Sequence, residues 1–542
     1  MRQLAGVLVL RAGDTRSGLA ERRQSAQADP PKQRPRNAVR SFTVLRAMET
    51  ISRGTLALEE LRFDNGFAGL PAEFYERRRP TGISDPHLIA FNPDAAALIG
   101  LGPQEGRRPE FIAVASGNAL LPGMDPVAAI YAGHQFGTFV AQLGDGRAIL
   151  LGEVRNAAGD GWELQLKGAG MTAFSRSADG RAVLRSTVRE YLCSEAMHAL
   201  GIPTTRALAM TGSSQAVYRE TIETAAVLVR MAPTFVRFGS FELFASRRQT
   251  AEVRILADYV IGRYFPDAGT GGDRYARFFA DVVARTARLM AAWQAVGFAH
   301  GVMNTDNFSI AGLTLDYGPF GFLDAYEPAF ICNHTDAGGR YAFDAQPTIG
   351  LWNCYALASA LTSLIPKAEL QTLLATYEET YRADFLARMR AKCGLERPEP
   401  EDAQLILDLL ALLAAAGADY TRFFRALCGI DVNAAPADDA AAAMFADRDG
   451  WYAWQQRYRA RLALETGDAA ARSAAKRAVN PKYILRNYLA QTAIEHAQTG
   501  DFSEITRLHD VLRRPFDEWP ECESYAALPP DWAREISVSC SS

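Results

Sequence analysis

Between residues 138 and 200 the hydrophobic period changes once, and that change restricts the fold more than any other feature of the chain. Segment 138-TFVAQL-143 alternates apolar and polar residues, 144-GDGR-147 supplies turn residues, and 148-AILLGEV-154 continues as a second strand. After the polar 155-RNAAGD-160 comes 162-WELQLK-167, alternating again and ending on a lysine. Next, 179-DGRAVLRSTVREYLCSEAMHAL-200 puts Leu184, Val188, Tyr191, Leu192 and Met197 at helical spacing. The pattern predicts three short antiparallel strands, the first two joined as a hairpin, and then one long helix.

Beyond about residue 241 the texture is mostly helical: 251-AEVRILADYVIGRYF-265, 273-DRYARFFADVVARTARLMAAWQAVG-297, then amphipathic runs through 350–390, 402–428 and 450–466. The expected fold is α+β and bilobal, a small β-rich lobe followed by a large helical one, with the cleft at their join. The chain then divides into an extension (1–47), a β-rich lobe (48–240), a helical lobe (241–520) and a tail (521–542).

Composition narrows the function. Against 62 acidic residues stand 58 Lys and Arg, so the net charge of -4 leaves no basic footprint for nucleic acid. The cysteines, seven of them, are scattered without a CxxC pair, which argues against a structural zinc site and a secreted disulfide scaffold. No window reaches the roughly 18 uninterrupted apolar residues of a spanning helix; the nearest, 404-QLILDLLALLAAAGA-418, is short and carries Asp408. A monomeric cytoplasmic protein is expected. Residues 1–47 are Arg-rich, poor in acids and marked by 29-DPPKQRPR-36, so they read as disordered. They are either an upstream start ahead of the true one at Met48 or a transit peptide, which would place the protein in mitochondria.

Moving a phosphoryl or nucleotidyl group requires cations and amides around phosphates, oxygen ligands for Mg²⁺, and an oriented nucleophile. Gly144 and Gly146 let backbone approach a polyanion and Arg147 adds charge, although most Gly-Asp-Gly turns are only turns. Lys167 ends a strand, and Glu190 lies 23 residues on inside the helix, an arrangement that kinases use to aim an ammonium at phosphates; Glu195 is a second possible partner. In kinase-like phosphotransferases the pattern H-[GR]-D-x-x-x-x-N places a base and then a metal-binding Asn, and a returning strand brings Asp-x-Gly. Here 300-HGVMNTDNFSI-310 and 313-LTLDYG-318 supply His300, Gly301, Asn307 and Asp316, but Val302 stands at the base position. Asn307 and Asp316 could chelate one Mg²⁺ with oxygen ligands. Asp306 is the carboxylate left in that loop, as base or as a group that orients the nucleophile.

At this point the residues resemble the SelO/YdiU family of protein nucleotidyltransferases, a branch of the kinase-like fold. The matching runs are 131-YAGHQFGTFVAQLGDGRAILLGE-153, 163-ELQLKGAGMTAFSRSADGRAVLRSTVREYL-192, 228-LVRMAPTFVRFGSFE-242, 298-FAHGVMNTDNFSIAGLTLDYGPFGFLD-324 and 480-NPKYILRNYLAQTAIE-495. The resemblance implies transfer of AMP, or UMP, from ATP or UTP to Ser, Thr or Tyr hydroxyls of proteins, with ATP reversed relative to ordinary kinases. By position it implies nucleotide contacts at Gly144, Gly146, Arg147, Lys167, Asp179, Gly180, Arg230, Arg237 and Asp316. It also implies Mg²⁺ or Mn²⁺ at Asn307 and Asp316, and Asp306 as catalytic base. Some members carry selenocysteine near the terminus, where 536-ISVSCSS-542 has Cys540; a regulatory disulfide to Cys332, in the loop after Asp-x-Gly, is implied. Two other readings stay open: a small-molecule kinase of the aminoglycoside-phosphotransferase type, and a non-catalytic nucleotide-binding pseudokinase.

Overall fold

The computed structural model describes residues 55–432 and 440–539. The 1–47 extension, Met48 and Cys540 lie outside the described residues, as do 434–439 of the Ala-rich 434–446. The order is β1 (Tyr75–Arg77), β2 (His87–Phe91), α1 (Pro93–Leu98), α2 (Pro109–Ala115), β3 (Val127–Gln135), β4 (Thr138–Gly144), β5 (Ala148–Arg155), β6 (Gly161–Lys167), β7 (Ala182–Val183) and α3 (Leu184–Ala199). Next come β8 (Arg206–Tyr218), β9 (Ile222–Ala232), α4 (Phe238–Ser246), α5 (Thr250–Tyr264), α6 (Arg274–Val296), β10 (Phe298–Ala299) and β11 (Gly321–Phe322). The remainder is helical: α7 (Gln346–Ala360), α8 (Lys367–Leu374), α9 (Thr376–Cys393), α10 (Asp402–Ala416), α11 (Tyr420–Leu427), α12 (Arg448–Leu462), α13 (Ala469–Val479), α14 (Asn487–Gln498) and α15 (Ser503–Leu512).

One antiparallel sheet runs β1-β3-β5-β6-β9-β8-β2, with β4 added to β3 and β7 to β9. Helix α3 packs on one face through Val188, Leu192 and Met197, all fully buried. The other face is covered by α1 and α2, where Ile99 and Phe111 meet Leu151, Leu164 and Val229. Each such side chain contributes about 1.5–3 kcal/mol by leaving water, and the two layers hold the sheet rigid where the site is built. A second apolar cluster, with Phe423, Phe445, Trp451 and Trp454, joins α9 to α12 among the later helices.

Four expectations need correction. The 138–143 and 148–154 strands are not each other's hairpin partners. β4 instead folds back on β3, as Gln135↔Thr138 and His134↔Phe139, while β5 meets β3 only at Val127↔Leu150 and pairs along its length with β6. The true hairpin tip is Phe136-Gly137, with φ of 50° and 85°, the positive pair that a primed two-residue turn needs. At 144–147 the chain crosses β3 instead, where Asp145 Oδ2 accepts from the Ala129 amide at 3.2 Å.

The helix drawn from 179 starts at Leu184, because 182–183 are taken by β7. The strand at 313–315 is likewise absent. Thr314 makes only isolated bridges, to Thr204 and Phe308, and the two-stranded ladder that closes this region is β10–β11. The helical runs are also subdivided: 350–390 contains α7, α8 and α9, broken at Pro366 and Ala375.

Helix α6 delivers the loop at 300. Its apolar stripe of Phe279, Val283, Met290 and Trp293 is buried, and Gly297 ends it in the left-handed conformation (φ 75°). β10 then leads directly to His300, whose ring stacks on Trp293 at 5.3 Å. Burial holds that imidazole below its usual pKa and therefore neutral, so Nε2 donates to the Leu315 carbonyl at 2.9 Å and Nδ1 accepts from the Val302 amide. Gly301 is required at φ 77°: a Cβ there would lie 2.6 Å from the Pro319 carbonyl and 2.7 Å from the Cys332 sulfur.

Candidate active site

Lys167 ends β6 and reaches across to α3, where Nζ donates to Glu190 Oε2 at 2.5 Å; it also reaches Asp316 Oδ1 at 3.2 Å. Glu195, the other possible partner, is taken instead by Arg206 in a two-pronged pair at 3.0 and 2.8 Å. Arg230 lies opposite Gln165 in the β6–β9 register; Nε donates to Gln165 Oε1 at 2.8 Å and Nη1 to Glu190 Oε1 at 2.9 Å and to Asp316 Oδ1. Arg237 immediately precedes α4; Nη1 donates to Asp316 Oδ2 and, at 2.7 Å, to the Asp306 carbonyl. Its guanidinium also lies over the Tyr131 ring at 5.0 Å.

Three buried cations thus converge on one carboxylate. Burial alone would raise the Asp316 pKa, but Arg230, Arg237 and Lys167 outweigh it and hold the carboxyl well below its usual range. Burial lowers the Lys167 pKa, opposed by Glu190 and Asp316 and assisted by Arg230 and Arg147. Asp316 itself sits at φ 56°, a strained setting for a non-glycine residue that turns its carboxylate into the cluster. Asp145 lies 3.9 Å from Arg237, and burial pushes its pKa up.

Asp306 is 8% exposed, and burial raises its carboxyl to about 6. Oδ2 accepts from Gln135 Nε2 at 3.3 Å, while Oδ1 is buried with no hydrogen-bond partner. Asn307 donates from Nδ2 to the Val302 carbonyl at 2.9 Å, which fixes the orientation of its amide. Asn307 Oδ1 and the Asp316 carboxylate are hard oxygen donors suited to Mg²⁺ completed by phosphate and water. Among the described residues no group of three or more His, Cys, Asp or Glu could hold a metal without such help. Both oxygens of the Asp316 carboxylate are engaged by Lys167, Arg230 and Arg237, so a metal there would displace part of these contacts and draw the rest of its shell from phosphate and water.

The other sequence-predicted positions are placed differently. At Gly144 and Gly146 an added Cβ would strike the Phe174 ring at 2.4 Å and the Phe174 carbonyl at 2.8 Å. These glycines therefore admit the 172–175 loop, which Thr172 and Ser175 tie to the Asp145 and Gly146 carbonyls. Arg147 is exposed beside them. Asp179 makes its contacts away from the cluster, in a two-pronged pair with Arg219 at 2.8 Å, and Gly180 packs against the Gly170 backbone. Cys332 lies in the loop after Asp-x-Gly but is not exposed for exchange. It is buried, its sulfur directed at the Ala299 carbonyl, and burial lifts its thiol to about 12.

Sequence reasoning missed Gln165, Asp145, Tyr131, Gly133 and Gln135 as site residues. All but Gln165 lie in 131-YAGHQFGTFVAQLGDGRAILLGE-153, and only the glycines and arginine of its turn had been weighed.

Lys167, Arg230 and Arg237 are thus gathered on Asp316, with the buried carboxyl of Asp306 close by, in a compact cluster of ionised groups. The family model described as protein adenylyltransferase SelO matches residues 57–513. Proteins named protein nucleotidyltransferase YdiU are similar to this chain over most of its length. That of Myxococcus xanthus is 59% identical over 486 residues, covering 90% of this chain and 99% of its own. Those of Thiobacillus denitrificans and Thioalkalivibrio sulfidiphilus are each 57% identical over the same shares. The chain belongs to the SelO family and is an enzyme of the nucleotidyltransferase class.

Proposed function

We propose that this enzyme transfers AMP from ATP, or UMP from UTP, to Ser, Thr or Tyr hydroxyls of proteins and releases pyrophosphate. The observation that carries the reading is the convergence of Lys167, Arg230 and Arg237 on Asp316, beside a loop whose kinase base position is Val302. Two buried guanidiniums suit a polyphosphate placed deep in the cleft and its departure as pyrophosphate. That favours ATP bound in reverse, with the α-phosphorus toward the acceptor, in a kinase-like bilobal fold. Gly144, Gly146, Arg147, Asp179 and Gly180 complete the nucleotide contacts once the 172–175 loop yields.

Asn307 and Asp316 would hold Mg²⁺ or Mn²⁺, which supplies charge neutralisation at the phosphates. Asp306 takes the proton of the acceptor hydroxyl as its oxygen attacks. Lys167 and the arginines hold the developing negative charge, and burial around them strengthens each contact. Glu190 fixes the Lys167 ammonium. The acceptors are proteins, and neither nucleic acid nor membrane is a partner; among the described residues no helix is long and apolar enough to cross a bilayer. The protein acts as a cytoplasmic monomer.

ATP labelled at the α or the γ phosphate separates this reading from its rivals. Label from α reaches the acceptor in nucleotidyl transfer, label from γ alone marks a kinase, and neither marks a nucleotide-binding scaffold. Transfer from γ alone would overturn the proposal.

A further inference from the structure

The far end of β3 carries a Tyr-x-Gly-x-Gln pattern, Tyr131, Gly133 and Gln135, whose alternate residues share one face of the strand. Gly133 and Gln135 face the catalytic loop, whereas the Tyr131 hydroxyl donates to Asp145 Oδ1 at 3.3 Å. Tyr131 lies under the Arg237 guanidinium, which binds the Asp306 carbonyl. Gly133 leaves bare the space that the Asp306 side chain fills: a Cβ there would come within 3.0 Å of Oδ1 and 3.1 Å of the Asp306 Cβ. Gln135 donates to Oδ2, the one side chain that hydrogen-bonds that carboxylate among the described residues. Backbone contacts keep the two segments in register, His134 N to Thr305 Oγ1 at 2.7 Å and Phe136 N to Asn304 Oδ1 at 3.2 Å.

The two carboxylate oxygens are therefore unequal. Oδ1 is buried against Gly133, closed to any acceptor, and without a donor. Oδ2 takes the side-chain amide of the half-buried Gln135.

We propose that Gln135 is a positioning residue, which with Gly133 fixes the Asp306 carboxylate so that Oδ2 faces and deprotonates the acceptor hydroxyl. This rests on the nucleotidyl-transfer reading. In the step, the hydroxyl proton passes to Oδ2 and the hydroxyl oxygen forms the new bond to the α-phosphorus. The bond from that phosphorus to the bridging oxygen breaks, and its electron pair leaves with pyrophosphate. A carboxylate free to rotate would present Oδ2 in the productive direction only part of the time, so the loss should fall on kcat.

The test compares Gln135→Ala, the similarly sized, uncharged Gln135→Met and Gly133→Ala in the full chain, with α-labelled ATP and a protein acceptor. ATP affinity is measured separately by calorimetry and folding by thermal melting. Expected are kcat losses of on the order of 10-fold to 10²-fold in all three, with ATP affinity within twofold and cooperative melting retained. Gln135→Met keeps the length and apolar packing but loses the donor without adding charge, so a residue that served packing alone would leave that variant near wild-type turnover. Such a result, or a loss confined to ATP affinity, overturns the assignment. Absence of α-label transfer by the unaltered protein would overturn the underlying reading as well, and is seen before any variant is compared.

Discussion

Arg230 and Arg237 grip opposite oxygens of one carboxylate, the first on Oδ1 of Asp316 and the second on Oδ2. The arginines come from different elements, β9 and the start of α4, so Asp316 ties the sheet to the catalytic loop as well as balancing charge. With Lys167 also on Oδ1, removing the carboxylate leaves three buried cations sharing Glu190 and Asp145.

Asp316→Ala should thus lose both functions. Turnover falls by on the order of 10²-fold or more, and stability by about 3 kcal/mol, as expected when a buried pair loses one partner. ATP should raise the melting temperature of this variant more than that of the parent, because phosphate charge replaces the missing carboxylate. Turnover near the parent's, or an equal ATP shift in both, would refute the site.

Lys167→Ala removes the ammonium that joins Glu190 to Asp316, and should depress transfer by a similar factor, with the loss in kcat. Val302→Asp restores the residue found in kinases, yet the arginine pair still favours a reversed triphosphate. Strong γ-phosphoryl transfer by Val302→Asp, read with γ-labelled ATP, would contradict the reversed orientation.

Where the sequence was legible, the reason was local. The alternation ending at Lys167 marked β6, and the stripe of 273–297 marked α6 nearly residue for residue. Lys167 with Glu190 could be paired because strand and helix each carry one clear period. The β3–β4 hairpin escaped because its tip is Phe136-Gly137, whereas the Asn-Gly or Asp-Gly signal appears at 144–147, where no such hairpin forms. The convergence of Arg230 and Arg237 on Asp316 is a contact between residues about 80 positions apart, which no local period encodes. The partnership of Gln135 with Asp306 was hidden for the same reason.

The pH dependence should follow Asp306, whose carboxyl is raised by burial to about 6. As a base it works ionised, so kcat/KM should rise about tenfold per pH unit below that value and level off above it. For stability the sign is opposite. The folded carboxyl keeps its proton to higher pH than the unfolded one, so its contribution is complete below 3.8 and is lost as pH rises through about 6. Asp306→Asn removes the buried charge and should melt higher than the parent at pH 8 by the equivalent of roughly 2–3 kcal/mol, with little difference at pH 4. A constant difference across that range would show that the carboxyl titrates normally.

The last prediction concerns the tail, which the structure brings to the loop that carries Cys332. His334 N donates to the Val538 carbonyl at 2.9 Å, so the chain two residues short of Cys540 runs beside the residue two past Cys332. Cys332 Sγ lies where a side chain at Gly301 would be, directly beneath the His300 loop. A bond to Cys540 would strap the tail across that loop and restrain the segment bearing Asp306 and Asn307. With its thiol raised to about 12, Cys332 is a poor nucleophile, so the reactive partner in exchange is Cys540. Reductant should therefore raise transferase activity several-fold in air-oxidised protein, and Cys540→Ala should be active without it. In the reduced native protein Cys332 should resist alkylation until the chain is unfolded. A non-reducing peptide map run beside the activity assay decides the matter: two free thiols after air oxidation, with activity indifferent to reductant, would leave the tail contact without a redox role.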